Sequence, residues 1–174
     1  MTRCPVAEAK VGEAFIKHEF DEAIAIQTTI VEAEKVLARS HPDADSRAAI
    51  KDCSRDDQAF LKQLRQLGKG HGATGEKEEV AQSMTDLMEE TLSSAEEAES
   101  EAYEAHAVLL SLKRKQQDSG AAMLKIAREL GDTELRDAAL AFERGQREGA
   151  TALAAALAAF AVTIATQSPA EVSA

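Results

Sequence analysis

Three glutamines are the residues whose type and spacing bear most directly on chemistry. Gln27, Gln116 and Gln146 each lie on the apolar stripe of a different predicted helix. In four-helix bundles that bind two metal ions, such inward-facing positions hold acidic ligands. The sequence therefore predicts an interior like a di-metal site whose charges have been removed. The alternative is that the three amides are boundary residues on rotated helices.

The motifs of an intact site are missing from the sequence. Two metal ions about 4 Å apart need bridging carboxylates together with imidazole nitrogens. The chain contains no Glu-x-x-His, and its four histidines form neither a His-x-x-x-His pair nor a zinc-hydrolase motif. Glutamine keeps the shape and hydrogen bonding of glutamate without the desolvation penalty of a buried anion, so a metal-free interior would favour it.

Helix-breaking residues, capping residues and the period of the apolar positions predict the helices that must position these residues. The composition favours helix, and three prolines lie at predicted helix boundaries or in the tail. Gly131 should end the fourth helix, and Asp132 or Thr133 should cap the last. We predict an all-α antiparallel bundle of four long helices and one short one, with these approximate ranges: 5–40, 44–67, 76–93, 95–130 and 133–166. One domain would span 1–168, followed by a disordered tail at 169–174.

Composition and charge restrict the classes of partner. The chain has 31 acidic and 20 basic residues, a formal net charge of −11, which argues against a nucleic-acid surface and against an anionic membrane. No apolar leader segment is visible, so a cytoplasmic location is expected. Cys4 and Cys53 lack the spacing of a metal knuckle, and Cys53 is interpreted as a small core residue.

Two segments invite alternative interpretations. No charged residue occurs between Glu148 and Glu171, but the run is rich in alanine and interrupted by threonine. It favours a helix packed closely on its neighbours, with a membrane anchor as the alternative. The glycine-rich segment 68–75 lacks the spacing of a phosphate-binding loop, and no predicted strand precedes it, so we interpret it as a flexible connector.

Short motifs along most of the chain resemble the YciE/YciF-type ferritin-like stress proteins. Glu22-Ala-Ile-Ala-Ile-Gln27 is similar to the Asp-x-x-x-x-Glu motif of that family's first helix. Met84-Thr-Asp-Leu-Met-Glu-Glu90 resembles the pattern of its short connecting helix, and Ile126-Ala-Arg-Glu-Leu-Gly131 resembles the end of its third helix. The resemblance implies a ferritin-like antiparallel four-helix bundle with an extra short helix.

The departures from the family pattern fall on its metal ligands. The Glu-His-Tyr-Glu of the family's third helix falls on Lys113-Arg-Lys-Gln116, and the acidic run of its last helix falls near Glu143-Arg-Gly-Gln146. Carried over residue by residue, only Glu22, Asp57 and Glu143 keep a carboxylate. Lys113 or Arg114 would then supply positive charge where the family holds metal.

Three functions remain open at this point. The first is a non-catalytic, stress-associated homodimer with a lost or reduced di-metal site and no cofactor. The second is a working metalloprotein in which Glu22, Asp57, His106 and Glu143 bind iron or manganese for oxidase or peroxide chemistry. The third is a helical adaptor that binds a protein partner through its acidic face or its alanine-rich last helix.

Overall fold

The computed structural model describes residues 5–167, and the surroundings of their side chains from residue 12 onward. That range contains five helices and no β-strand, as predicted. They are α1 (Pro5–Ser40), α2 (Ala44–Gly70), α3 (Glu79–Ser94), α4 (Glu99–Leu130) and α5 (Thr133–Thr166). The predicted tail at 169–174 and Cys4 lie outside the described residues.

Several helix ends have the capping residues that the sequence predicts. Asp43 caps α2 by accepting a hydrogen bond from the Ser46 amide at 2.7 Å, and Asp132 caps α5 through the Leu135 amide at 2.9 Å. Gly131 has a φ of 69°, the left-handed conformation that commonly ends a helix at glycine. Helices α3 and α4 begin three and four residues later than predicted, and no side chain caps either of them.

The four long helices form a closed square in which α1 packs on α2 and α4, and α5 packs on the same two helices. Gly68, near the end of α2, lies against Phe20 and Ile24 of α1, whereas the earlier Asp57 contacts the later Gln27, so these two helices are antiparallel. His41, just after α1, contacts His106 near the start of α4 and Phe160 near the end of α5. Helices α2 and α4 therefore run in the same direction, and α3 returns the chain from the end of α2 to the start of α4.

The crossover helix α3 packs on the outside of α1 and α4. Ala81 and Met88 are fully buried against the bundle, and Thr85 shares a 2.9 Å hydrogen bond with Thr29 of α1. The result is an all-helical bundle with one long connection after its second helix.

The connector between α2 and α3 is fixed to the bundle, which corrects its interpretation as flexible. The buried Asp21 carboxylate accepts hydrogen bonds from the Thr74 and Gly75 amides at 2.7 and 2.8 Å. Burial alone would raise the pKa of Asp21, but its hydrogen bonds from Lys17 and these two amides hold that pKa below its usual value. A Cβ at Gly75, whose φ is 78°, would lie 2.6 Å from Ile24, so this position requires glycine.

Two apolar clusters fill the bundle, one towards each end. One contains Phe20, Leu64 and Phe142, and the other contains Ile30, Leu109 and Leu153. Cys53 is only half-buried at the edge of the second cluster, so its interpretation as a core residue holds in part. Between the two clusters, every long helix contributes a polar side chain to the interior.

Helix α5 is the one helix in residues 5–167 that is long and apolar enough to cross a membrane. An 18-residue window of α5 has a mean hydropathy of 1.8, and 22% of that window is buried. The buried core helix of a soluble bundle can meet the same length and composition criteria. Location and membrane association therefore stay predictions.

Candidate functional site

The middle of the bundle contains a buried polar layer made by the four long helices. We use "polar layer" for Gln27 and Glu34 of α1, Asp57 of α2, Lys113 and Gln116 of α4, and Gln146 of α5. Each of these six residues is 0–2% exposed. Such burial is costly for polar groups unless they pair with one another, so their contacts decide what the layer can do.

The three glutamine amides meet in this layer, as the sequence pattern predicted. Gln27 donates to Asp57 Oδ1 at 2.8 Å and to the Asp57 carbonyl at 3.2 Å. The Gln27 oxygen accepts hydrogen bonds from Gln116 at 3.0 Å and Gln146 at 3.3 Å. Gln146 also donates to Asp57 Oδ1 at 2.6 Å. One amide network therefore connects all four long helices around a single carboxylate.

The Lys113 ammonium supplies the positive charge of the layer. It donates a hydrogen bond to Asp57 Oδ2, and its Nζ lies 3.5 Å from Glu34 Oε1. Burial alone would lower the pKa of Lys113, but its neighbouring carboxyl groups, chiefly the Asp57 carboxylate, raise that pKa above its usual value. The pKa of Asp57 is held low against burial, chiefly by Lys113. Both partners of this pair are therefore charged at neutral pH.

Glu34 is the second carboxyl group of the layer, and it is protonated at neutral pH. Burial, followed by repulsion from Asp57, raises its pKa to about 9 despite the nearby Lys113. Neither of its oxygens accepts a hydrogen bond from a described group, which suits a neutral carboxyl that faces the Asp57 carboxylate. One ammonium and one carboxylate then cancel, and the layer has no net charge.

A glycine of α5 makes room for the Lys113 side chain. A Cβ at Gly149 would lie 2.6 Å from Lys113 Cε and 3.0 Å from its Nζ. The Lys113 side chain can therefore pass close to the α5 backbone and reach Asp57 only because position 149 has no side chain. Gly145, one turn earlier, similarly accommodates the Phe60 ring, 2.5 Å from where a Cβ would be.

We expect Gly149→Ala to destabilise the protein by about 1–3 kcal/mol, because the new methyl group overpacks the site and displaces Lys113 from Asp57. The matched control is Gly70→Ala, where a Cβ would meet nothing within 4 Å. Alanine there should be neutral, or stabilising by up to about 1 kcal/mol. Urea unfolding at pH 7 measures both changes. Equal stability of the two variants would contradict the packing argument.

The four predicted metal residues do not converge, which corrects the predicted ligand set. Asp57 lies in the polar layer, but Glu22 pairs with Lys115 at 2.5 Å, and Glu143 pairs with Arg147 at 3.2 Å. His106 is ten residues before Gln116, about 15 Å along the helix. Across the part of the chain that the structure describes, no group of three or more His, Cys, Asp or Glu could hold a metal ion.

His106 instead belongs to a buried pair at one end of the bundle. Its ring centroid lies 5.3 Å from that of His41, edge to face, and neither of its nitrogens has a hydrogen-bond partner among the described groups. Burial, reinforced by repulsion from His41, lowers the pKa of His106 to about 4. Burial also lowers the pKa of His41. Both imidazoles are therefore neutral at pH 7.

The donor set of the polar layer does not fit two divalent ions. Gln27 and Gln146 direct N–H groups at Asp57 Oδ1, and Lys113 donates to Oδ2, so both oxygens of the one charged carboxylate are already engaged. A bridged metal pair needs several oxygen lone pairs and negative charges to offset four positive charges. In the polar layer, the one ionised carboxylate, that of Asp57, is already balanced by the Lys113 ammonium.

Sequence reasoning missed the role of Glu34 and left that of Lys113 open. Glu34 follows Gln27 by seven residues on the same stripe, and Lys113 precedes Gln116 by three, so both share a face with a glutamine. The structure assigns the cation of the layer to Lys113, because Arg114 is exposed. Their position on the same helix face as a buried glutamine could have indicated the pair, since a charged residue on a buried stripe needs a charged partner.

Comparisons of the chain with models of known protein families, with curated proteins and with solved structures found no match.

Proposed function

We propose that this chain is a ferritin-like helical bundle in which an ion pair and an amide network replace a di-metal centre, and that it acts as a non-catalytic protein. The observation that carries the proposal is the position of Lys113. Its ammonium lies between two inward-facing carboxyl groups, Asp57 and Glu34, where a metalloprotein of this architecture would hold a bridging cation. A built-in cation of this kind stabilises the layer without any bound ion.

The chain topology supports the same proposal. Ferritin-like bundles differ from simple up-and-down bundles by one long crossover connection. Here α3 provides such a crossover, because α2 and α4 run in the same direction and α3 returns the chain between them. Together with the resemblance to ferritin-like stress proteins, this arrangement supports the proposed ancestry and a stress-associated role.

The chemistry of the interior supports a non-catalytic role. The charged groups of the polar layer are engaged with one another, and the one described thiol, Cys53, is held protonated because burial raises its pKa to about 11. A nucleophile needs a lowered pKa or an adjacent base, and Cys53 has neither. A homodimer and a protein partner remain predictions.

Metal analysis tests the proposal directly. We expect protein purified from cells supplied with iron and manganese to contain less than about a tenth of an ion per chain, because the layer is already neutralised. A stoichiometric ion in the native protein would overturn the proposal and favour the metalloprotein.

A charge-restoring variant makes the same test sharper. Lys113→Ala combined with Gln27→Glu, Gln116→Glu and Gln146→Glu removes the internal cation and restores acids on three helices. We expect this variant to be stabilised by Mn²⁺, which would relieve the repulsion among its carboxylates, whereas wild-type protein should show no such shift. Thermal unfolding with and without Mn²⁺ measures the difference. A variant that folds but does not respond to Mn²⁺ would mean that the layer was never arranged for ions.

A further inference from the structure

A cleft of about 450 Å³ between α2 and α5 leads from the surface to the polar layer. Its floor is formed by the buried Asp57–Lys113 pair, and its walls include Cys53, Phe60 and Gly145. The volume lies within the range that small-molecule sites occupy, and the combination of apolar walls with a few convergent polar groups is typical of such sites. The proposed function makes no use of this cleft.

The charges that line the cleft favour a cationic occupant. Asp52 and Asp56 of α2 and Glu148 of α5 contribute carboxylates at the rim. Lys113 is the only base among the lining residues, and its ammonium is 1% exposed and already paired with Asp57. An anion would therefore meet the rim acids without gaining the lysine charge, whereas a cation would be attracted by the rim carboxylates.

Two arginines near the rim do not remove that preference. Arg144 lies 3.7 Å from Glu148, and both side chains are 71% exposed; Arg55 contacts Asp56 at 3.4 Å in a similarly exposed pair. Such exposed pairs contribute little because solvent screens them, so a bound cation can compete with them. Asp52 forms no ion pair among the described residues, which leaves its carboxylate available.

The walls select an occupant that also has an apolar part. The Phe60 ring is half-buried and packs edge to face on Phe142, with centroids 5.4 Å apart, so it is held as a fixed wall. A cation within about 6 Å of an aromatic ring centroid is attracted to the ring face, and methylene groups gain from apolar contact with the ring. A hydrated inorganic ion would not use this wall.

We propose that the cleft between α2 and α5 binds a small aliphatic amine cation, with its ammonium groups at the rim carboxylates and its carbon chain along Phe60. This proposal does not depend on the loss of a metal centre. Spermidine is a suitable probe, because it carries several ammonium groups on a short carbon chain.

Titration with spermidine, followed by calorimetry and by the amide resonances of Gly145 and Gly149, tests the proposal. We expect saturable one-to-one binding with shifts at these two glycines. Ala152→Trp, which places a large ring in the lining of the cleft, should abolish binding. The double variant Asp52→Asn/Asp56→Asn should weaken it roughly tenfold, since two contacts of about 0.7 kcal/mol are removed.

The matched control is Glu96→Gln/Glu97→Gln, which removes two exposed acids beside α3, away from the cleft, and should leave spermidine binding unchanged. Hexane-1,6-diol and inorganic phosphate serve as the neutral and anionic probes, and neither should shift the glycine resonances. The proposal would be overturned by equal binding of either probe, by shifts spread over the acidic surface that Ala152→Trp does not affect, or by no saturation at millimolar spermidine.

Discussion

Lys113→Met is expected to lower the free energy of unfolding by about 3–5 kcal/mol, because it leaves the Asp57 carboxylate buried without its counter-ion. Methionine keeps most of the apolar stem of lysine, so the change removes charge more than volume. Asp57 would keep its hydrogen bonds from Gln27 and Gln146, but neutral amides compensate a buried anion less well than an ammonium does. Urea unfolding at pH 7 measures the loss.

The matched control lies further along the same helix. Lys125 is exposed and forms no ion pair with a described residue, so Lys125→Met should change the free energy of unfolding by less than about 0.5 kcal/mol. A second test is a double-mutant cycle that combines Lys113→Met with Asp57→Asn. The double variant Lys113→Met/Asp57→Asn should recover much of the loss, because it leaves no unpaired charge. Similar effects of Lys113→Met and Lys125→Met would show that the buried pair has no special role in stability.

Glu34→Gln is expected to stabilise the protein at pH 7 by roughly 2–3 kcal/mol, and by more at higher pH. The folded-state pKa of Glu34 is raised to about 9 from its ordinary value of 4.5, so between these values the folded chain holds a proton that the unfolded chain has released. Stability then falls as pH rises through this window, by up to about 1.4 kcal/mol per pH unit. Glutamine mimics the neutral carboxyl group and removes this dependence.

Unfolding free energies measured between pH 7 and 8.5 give the slope for each variant. His41 and His106 have lowered pKa values and stay neutral throughout this range. Any contribution from Cys53 is common to both proteins and cancels in the difference. Glu32→Gln, an exposed position on the same helix, is the control and should retain the wild-type slope. If Glu34→Gln also keeps that slope, Glu34 is ionised in the folded state and the layer carries net negative charge.

The sequence alone determined the helices and the presence of polar side chains in the core. Capping residues, the proline after His41 and the glycine at 131 act locally, so their effect on helix ends can be read without tertiary contacts. The recurrence of Gln27, Gln116 and Gln146 on apolar stripes follows from the 3.6-residue period, which directs each of them to the interior of any bundle. Their burial was therefore predictable, whereas their meeting in one layer depends on the axial offset of the packed helices.

Only the tertiary structure decided which charges share that layer. Glu22, Asp57 and Glu143 are equally acidic in the sequence, but the rotation and axial offset of the packed helices bring Asp57 alone of the three to Lys113, and add Glu34. The protonation of Glu34 and the charge of Lys113 depend on distances and burial that helix periodicity does not specify. The cleft between α2 and α5 likewise results from how two helices approach, since Gly145 and Gly149 acquire their roles from Phe60 and Lys113 across the interface.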